Sequence, residues 1–337
     1  MTPVAAPPLV SVVLPVFNGE AHIGDAVRSV LAQTVTDFEL LIIDDGCTDG
    51  TARVLSGFPD RRLRIIPLAG HQGLVAALNR GMQESRSMFI ARMDADDVCL
   101  PRRFERQIAF LEAHPDVDIC GTWTRHAGDR RGVRRLPVDT EHIRARMFFG
   151  GAMDHPTVMM RRAFAEANGL VYRDDFASAE DLDFLTRAAD VGRLANVPEV
   201  LLVYRAHPQQ VSVVSAAAQA SAHARIAARQ LRALIPDADK DETEFHVRLV
   251  LGQTHAPERP RADRWLRRLD QVNRLARRYD AAAFLGELRR LWFRVHDRPG
   301  QRRSGTLREY WSSPLSGVRD IGVLRHARFV ARSVSPL

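Results

Sequence analysis

The chain has 337 residues, 45% hydrophobic and 26% charged, a composition that suits one large folded domain plus an extension rather than a disordered or fibrous protein. Cys47, Cys99 and Cys120 are the only cysteines and no two lie close in sequence, which excludes a disulfide framework and a zinc site and fits a reducing, cytosolic setting. The net charge of +7 divides unevenly, −4 over residues 1–209 and +11 over residues 210–337.

The first 121 residues alternate between two periods. "LVSVVLPV" (9–16) predicts a strand, and "AHIGDAVRSVLAQ" (21–33), apolar at Ile23, Ala26, Val27, Val30 and Leu31, predicts a helix. "FELLIID" (38–44) predicts a second strand, "TARVLSGF" a short helix and "RLRIIPL" a third strand. A helix over 74–84 and a strand "SMFIARM" (87–93) follow. "PRRFERQIAFLEAH" (101–114) reads as a helix with Pro101 in its first turn, and "VDICGTW" as a fifth strand. Residues 122–150 are expected to be irregular. "HPTVMMRRAF" (155–164) reads as a strand entering a helix, with Arg161 and Arg162 at a solvated helix start. "SAEDLDFLTRAADVG" (178–192) predicts a helix with Ser178 as N-cap, acids in its first turn and Leu182, Leu185, Ala188 and Ala189 buried. "PEVLLVYRAH" (198–207) predicts a strand ending in Arg205 and His207. Beyond about residue 212 the pattern is helical, which divides the chain into residues 1–210 and a basic, helical region 211–337. Strands alternating with helices imply an α/β fold with a mostly parallel sheet covered by helices on both faces.

In such sheets, ligands bind outside the carboxyl ends of the strands. Three polar clusters follow strand-like runs directly: Asn18–Gly19–Glu20, Asp44–Asp45–Gly46 and Asp94–Ala95–Asp96–Asp97. They are therefore expected to converge on one rim. Helix caps explain one or two of these aspartates but not five acids on one rim, where like charges repel unless neutralised. There is no G-x-G-x-x-G after the first strand and no GK[ST], which argues against a nicotinamide dehydrogenase and a P-loop NTPase. An acidic rim that holds an anionic nucleotide needs a cation between them. Mg²⁺ and Mn²⁺ take carboxylate and phosphate oxygens together. The expectation is a nucleoside diphosphate bridged by a divalent metal to Asp96 and a neighbouring acid.

"SVVLPVFNGEAHIGDAVRSVLAQTVTDFELLIIDDGCTDGT", "GLVAALNRGM", "FIARMDADD" and "SAEDLDFLTRAADVG" occur in that order between residues 9 and 210. The set resembles glycosyltransferase family 2, whose members have the GT-A fold, use nucleotide sugars and invert the anomeric centre. By that resemblance Pro15, Phe17 and Glu20 lie along base and ribose, and Asp45, with Asp44 beside it, recognises the base. Asp94 and Asp96 contact ribose and metal, and Asp97 shares either role. Asp181 of the Glu180–Asp181 pair is the general base. "YRAHPQQVS" resembles the closing segment of non-processive members, which turns Arg205 and His207 toward the diphosphate, His207 as a further metal contact. The processive Q-x-x-R-W pentapeptide is absent, and no apolar run reaches the ~20 residues of a membrane span. "DDGCTDG" has Cys47 where the family usually has serine.

The implied reaction is one in-line displacement, with Asp181 accepting the acceptor's proton; a retaining route would need a second carboxylate, for which Glu180 and Asp183 are the candidates. "MDHPTVMM" resembles a loop near the donor sugar, which makes His155 and Thr157 candidates there. Cys99 and Cys120 read as small core residues. The implied donor is a UDP-, dTDP- or GDP-linked sugar and the acceptor a glycan or lipid-linked sugar of bacterial surface polysaccharide. A nucleotidyltransferase and a non-catalytic nucleotide-sugar-binding protein are the alternatives.

No basic stretch is interleaved with stacking aromatics, so nucleic acid is not an expected partner. The N-terminus has no basic segment ahead of its apolar run, so no secretory signal is expected. The basic region 211–337 reads either as a helical subdomain or as a peripheral membrane element at the cytoplasmic face. The second reading places Trp265, Leu266, Leu269, Phe284, Leu288, Leu291 and Trp292 on a membrane-facing stripe.

Overall fold

The computed structural model describes residues 6–128, 131–206, 216–297, 305–318 and 320–334. They form two compact units: Met1–Ile143 with Gly151–Ala222, and Arg144–Gly150 with His223–Leu337.

The first unit is built on a nine-stranded sheet of β1 (Val10–Val16), β2 (Phe38–Asp44), β3 (Leu63–Pro67), β4 (Phe89–Arg92), β5 (Val98–Cys99), β6 (Ile119–Gly128), β7 (Gly132–Arg134), β8 (Met159–Arg161) and β9 (Leu194–Ala206). The order is β3-β2-β1-β4-β8-β6-β9-β5, with β7 on β6. Strands β3, β2, β1 and β4 are parallel, which brings the carboxyl ends of β1, β2 and β4 to one edge. The rest is mixed. β8 runs antiparallel to both β4 and β6, β5 antiparallel to β9, and β6 parallel to β9. The expected mostly parallel sheet thus holds only for its first half. A short buried apolar run such as Met159–Met160 reads the same in either direction, so direction was not legible there.

Among the described residues, α1 (Ile23–Leu31), α2 (Thr51–Leu55), α3 (Leu74–Glu84), α4 (Arg103–Ala113), the first half of α5 (Thr140–Met147), α6 (Arg162–Ala167) and α7 (Glu180–Val191) belong with the sheet. All seven residues of β1 are buried, as expected for a strand covered on both faces. Val10, Val12, Leu14 and Val16 pack with Ile23, Ala26, Val27 and Val30 of α1. On the other side α3 lies so close that a Cβ on Gly81 would sit 2.2 Å from the Val13 side chain. Gly81→Ala should therefore destabilise the unit by about 1–3 kcal/mol, measured by urea unfolding. An unchanged midpoint would show that α3 can shift away at no cost.

Residues expected to be irregular are in part ordered. β6 continues to Gly128 and carries β7, with a register irregularity at Trp123. Its alternation is hidden because the buried positions are Thr122 and Thr124. Arg161 and Arg162 are not a solvated helix start. Arg161 donates to the carbonyls of Val117 and Leu111, and Arg162 to that of Ser87. Cys99 and Cys120 are buried, as expected.

The second unit contains α8 (Ala216–Leu234) beyond Ala222, α9 (Lys240–Val250), α10 (Arg259–Ala276), α11 (Ala281–His296), α12 (Thr306–Trp311) and α13 (Val323–Val334). Its core gathers Phe148, Leu231, Phe245, Tyr310 and Phe329 with Trp265, Leu266, Leu269, Phe284, Leu288, Leu291 and Trp292. The stripe over 264–295 is therefore interior, not a membrane-facing surface. Among the described residues no helix is long and apolar enough to cross a membrane.

Candidate active site

A cavity of about 640 Å³ opens at the carboxyl ends of β1, β2 and β4. Its wall includes Pro15, Phe17, His22, Asp45, His71, Asp94, Asp96 and Glu180. Three of the acid-bearing segments singled out in the sequence meet here, together with the start of α7.

The loop after β1 turns through Asn18, which has a positive φ of 50°. Asn18 Oδ1 accepts from the Thr48 amide at 2.8 Å. The Asn18 amide donates to Cys47 Sγ, which itself lies 3.6 Å from the Val16 carbonyl. The thiol thus occupies a place in the turn that a serine hydroxyl could also fill. The turn leaves the Phe17 ring 45% exposed and stacked on His71, with centroids 3.8 Å apart. His71 is fixed by Asp45. One oxygen of Asp45 accepts from the Gln72 amide at 2.6 Å, and the other from the Gly73 amide and His71 Nδ1, both at 2.9 Å. Gly46, at φ +76°, lets this loop approach, since a Cβ there would lie 2.6 Å from the Gly70 carbonyl carbon. Asp45 is therefore on the cavity wall but already holds the loop that presents His71.

Asp44 and Glu20, both in the expected set, are not on that wall. Asp44 accepts from the Cys47 amide at 2.9 Å and closes a turn. Glu20 accepts from the Gly50 amide at 3.0 Å and pairs with Arg53 at 2.6 Å. Both carboxylates serve the β2–α2 connection.

The acid triplet follows β4. Ligand oxygens of Asp94, Asp96 and Asp97 all lie within 4.8 Å of one another. Asp97 is fully buried; one oxygen accepts from the Arg205 amide at 2.9 Å, and the other is buried with no hydrogen-bond partner among the described residues. Burial, and then Asp94 and Asp96, push its carboxyl well above the usual range. Burial likewise raises Asp94, and Arg92 opposes the shift. Three crowded carboxylates with one orphaned buried oxygen are a donor set suited to a hard divalent cation, which would supply the missing positive charge.

Arg92, which sequence reading missed, lies behind this triplet. It is the last residue of β4, is buried, and pairs with Asp94. Burial disfavours its charge, but Asp94 more than offsets this and raises its pKa. Its Nε has no hydrogen-bond partner among the described residues. The only trace in the sequence is an arginine inside an apolar run, two residues before the first aspartate.

The start of α7 differs from expectation in its cap. Ser178 lies in the left-handed region at φ 72°, Ala179 holds the N-cap position, and no side chain caps the helix. Glu180 lines the cavity, and its carboxyl is pushed up to about 7, by burial first and Asp181 next. The half-buried Asp181 accepts from the Leu182 amide at 2.7 Å and is not on the cavity wall. Asp183 is fully buried and paired with Arg187 at 2.9 Å, which removes it as a candidate nucleophile. Tyr172 stacks on Phe184 of α7 and bonds His155 Nε2 at 2.8 Å. His155 and Thr157 are buried beside Tyr172 and Thr122 and do not line the cavity. Burial holds the His155 imidazole well below its ordinary pKa.

The Arg205 guanidinium contacts Asp25 at 3.1 Å and His22 Nδ1 at 2.9 Å, so it is tied to α1 rather than exposed on the cavity wall. His207 lies outside the described residues.

The Glu180 shift has a consequence for stability. The unfolded chain releases this proton near the ordinary 4.5, whereas the folded chain keeps it to about 7. Folding therefore loses stability as pH rises between these values. Glu180→Gln should raise the melting temperature above pH 7, by the equivalent of at most about 3 kcal/mol, and do little near pH 4. A gain that is equal at both pH values would mean that Glu180 is not held protonated by the fold.

Comparison with known proteins places these features. Residues 11–168 match Glycosyl transferase family 2. The chain is 33% identical over 206 residues to the putative glycosyltransferase EpsE of Bacillus subtilis, covering 59% of this chain and 73% of that protein. It is 29% identical over 211 residues to the amylovoran biosynthesis glycosyltransferase AmsE of Erwinia amylovora, covering 60% and 78%. Two solved structures share the fold. One is S. aureus TarS 1–349 in complex with UDP-GlcNAc, with a TM-score of 0.59, 18% identity and coverage of 85% of this chain and 87% of that one. The other is the mannosyltransferase PcManGT of Pyrobaculum calidifontis in complex with GDP-Man and Mn²⁺, with a TM-score of 0.52, 16% identity and coverage of 98% and 87%. With a GT-A-like mixed sheet, an acidic rim and relatives of this closeness, the chain belongs to glycosyltransferase family 2.

Proposed function

We propose that the protein transfers a sugar, with inversion, from a nucleoside-diphosphate sugar to an acceptor hydroxyl, and that it is non-processive. One observation carries the reading: a single cavity has an exposed aromatic pair, Phe17 on His71, and Asp94 and Asp96 on its wall with the buried Asp97 within 4.8 Å of both, and a carboxylate-bearing helix start on the same wall. The aromatic pair suits a nucleobase and the acids suit a cation-bound diphosphate. The UDP-GlcNAc and GDP-Man complexes of the two fold relatives support this donor class. Mg²⁺ or Mn²⁺ is the cofactor that Asp94 and Asp96, with Asp97, would hold; bound there it would offset negative charge on the departing diphosphate.

The remaining chemistry falls to the chain. Asp181 accepts the acceptor hydroxyl's proton as that oxygen attacks the anomeric carbon and the bond to the phosphate oxygen breaks. Arg92 pairs with Asp94 and opposes the rise that burial imposes on its carboxyl. Asp97 ties the end of β9 to the acid cluster through the Arg205 amide. The name of the Erwinia relative, an amylovoran biosynthesis glycosyltransferase, supports a role in polysaccharide biosynthesis. The acceptor in this reading is a glycan or lipid-linked sugar of bacterial surface polysaccharide, met at the cytoplasmic face of the membrane. Proton NMR of the product tests inversion. A product of opposite anomeric configuration to its donor is expected, and retained configuration would overturn it.

A further inference from the structure

Helix α13 carries more apolar surface than its own unit uses. Its inward stripe is His326 and Phe329. Both are buried, His326 Nε2 is 2.8 Å from the Tyr310 hydroxyl, and the Phe329 ring lies 5.2 Å from that of Phe293. At 100° per residue, Val323, Leu324, Ala327, Val330 and Ala331 fall on a second stripe. That stripe faces solvent, with Val323 72% and Leu324 78% exposed. Trp311, itself 48% exposed, packs against His326, one turn from Val323 and Val330. On the Leu324 side of the stripe come Arg328, Arg332 and Arg325, all exposed. Arg332 reaches Asp297 and Arg325 lies over the Phe293 ring, but the helix itself contains no acid.

An exposed apolar stripe bordered by cations and free of carboxylates is the pattern of a helix that lies in a lipid interface. We infer that α13, with Trp311, is the surface by which this protein sits on an anionic phospholipid membrane. The apolar side chains enter the headgroup boundary and the three guanidiniums bind lipid phosphates. Charge selects this occupant over a second copy of the chain. A two-fold pairing of α13 stripes would bring two rows of arginine together with no acid between them. The +11 charge of residues 210–337 adds long-range attraction of the same sign. The inference deepens the proposed membrane-face location, and it does not depend on which donor or acceptor the enzyme uses.

Co-sedimentation of the full chain with phosphatidylcholine vesicles, with and without phosphatidylglycerol, tests it in the absence of any sugar nucleotide. Binding is expected only with phosphatidylglycerol, and it should weaken as salt rises. The Val323→Glu/Leu324→Glu variant and an Arg325→Gln/Arg328→Gln/Arg332→Gln variant should each lose binding by roughly tenfold or more. The melting temperature of the first variant should stay at the wild-type value, because both its positions are exposed. The inference is overturned if wild type does not sediment with phosphatidylglycerol vesicles, or if both variants sediment as wild type does. It is also overturned if α13 instead holds a dimer, seen as a Val323→Glu/Leu324→Glu monomer in sedimentation velocity with vesicle binding absent. A failure here would leave the transferase reading standing, because turnover on a soluble acceptor is measured separately.

Discussion

Asp181→Asn should lower turnover by about 10²–10⁴ while leaving nucleotide binding and melting temperature near wild type. The substitution keeps the size of the side chain, and the Asn Oδ1 can still accept from the Leu182 amide, so α7 should start as before. What is lost is the ability to take a proton from the acceptor hydroxyl. Glu180 makes the experiment discriminating. It is adjacent, lines the cavity, and its carboxyl near 7 would also suit a base. The two residues differ in where they stand: Glu180 on the wall shared with Asp94 and Asp96, Asp181 off it. If Asp181 is the base, Glu180→Gln keeps most turnover and Asp181→Asn does not. The reverse result would move the chemistry to Glu180.

Arg92→Met should have the largest effect on folding, a loss of about 3–5 kcal/mol. Removing one partner of a buried pair leaves the other charge uncompensated, and Asp94 already sits beside Asp96 and Asp97. Adding Asp94→Asn to Arg92→Met should recover part of the loss, because the orphaned carboxylate is then gone. Mn²⁺ should raise the melting temperature of Arg92→Met more than that of wild type, since a cation held by the same acids substitutes for the missing guanidinium. Thermal unfolding with and without Mn²⁺ checks both points. An Arg92→Met chain as stable as wild type would mean that Arg92 and Asp94 are not energetically coupled.

The parallel half of the fold was legible because β1, α1, β2 and α3 each carry one clean period and are separated by turn residues. β1 is apolar on both faces, and α1 shows its buried stripe at Ile23, Ala26, Val27 and Val30. The antiparallel half was not, because Thr122 and Thr124 are polar yet buried in β6, and β8 has only three residues. At the site, position after a strand brought the three acid-bearing segments to one cavity but could not say which carboxylates point into it. Asp44 and Glu20 are claimed by amides of the next turn, a local hydrogen bond that spacing does not reveal. Arg92 was missed because it lies inside an apolar run, and His155 is buried against Tyr172, a partner that its spacing in the chain does not reveal. Ser178 fits every rule for an N-cap, yet its left-handed backbone turns it away from that role.

In the proposed function the acid triplet holds a nucleoside diphosphate through a divalent cation. Isothermal titration of UDP and of GDP into the full chain, with Mn²⁺ and then with EDTA, tests it most directly. One of the two should bind with Mn²⁺ present, and both EDTA and Asp96→Asn should weaken that binding by at least about tenfold, or 1.4 kcal/mol. Binding of equal strength in Mn²⁺, in EDTA and in Asp96→Asn would contradict it.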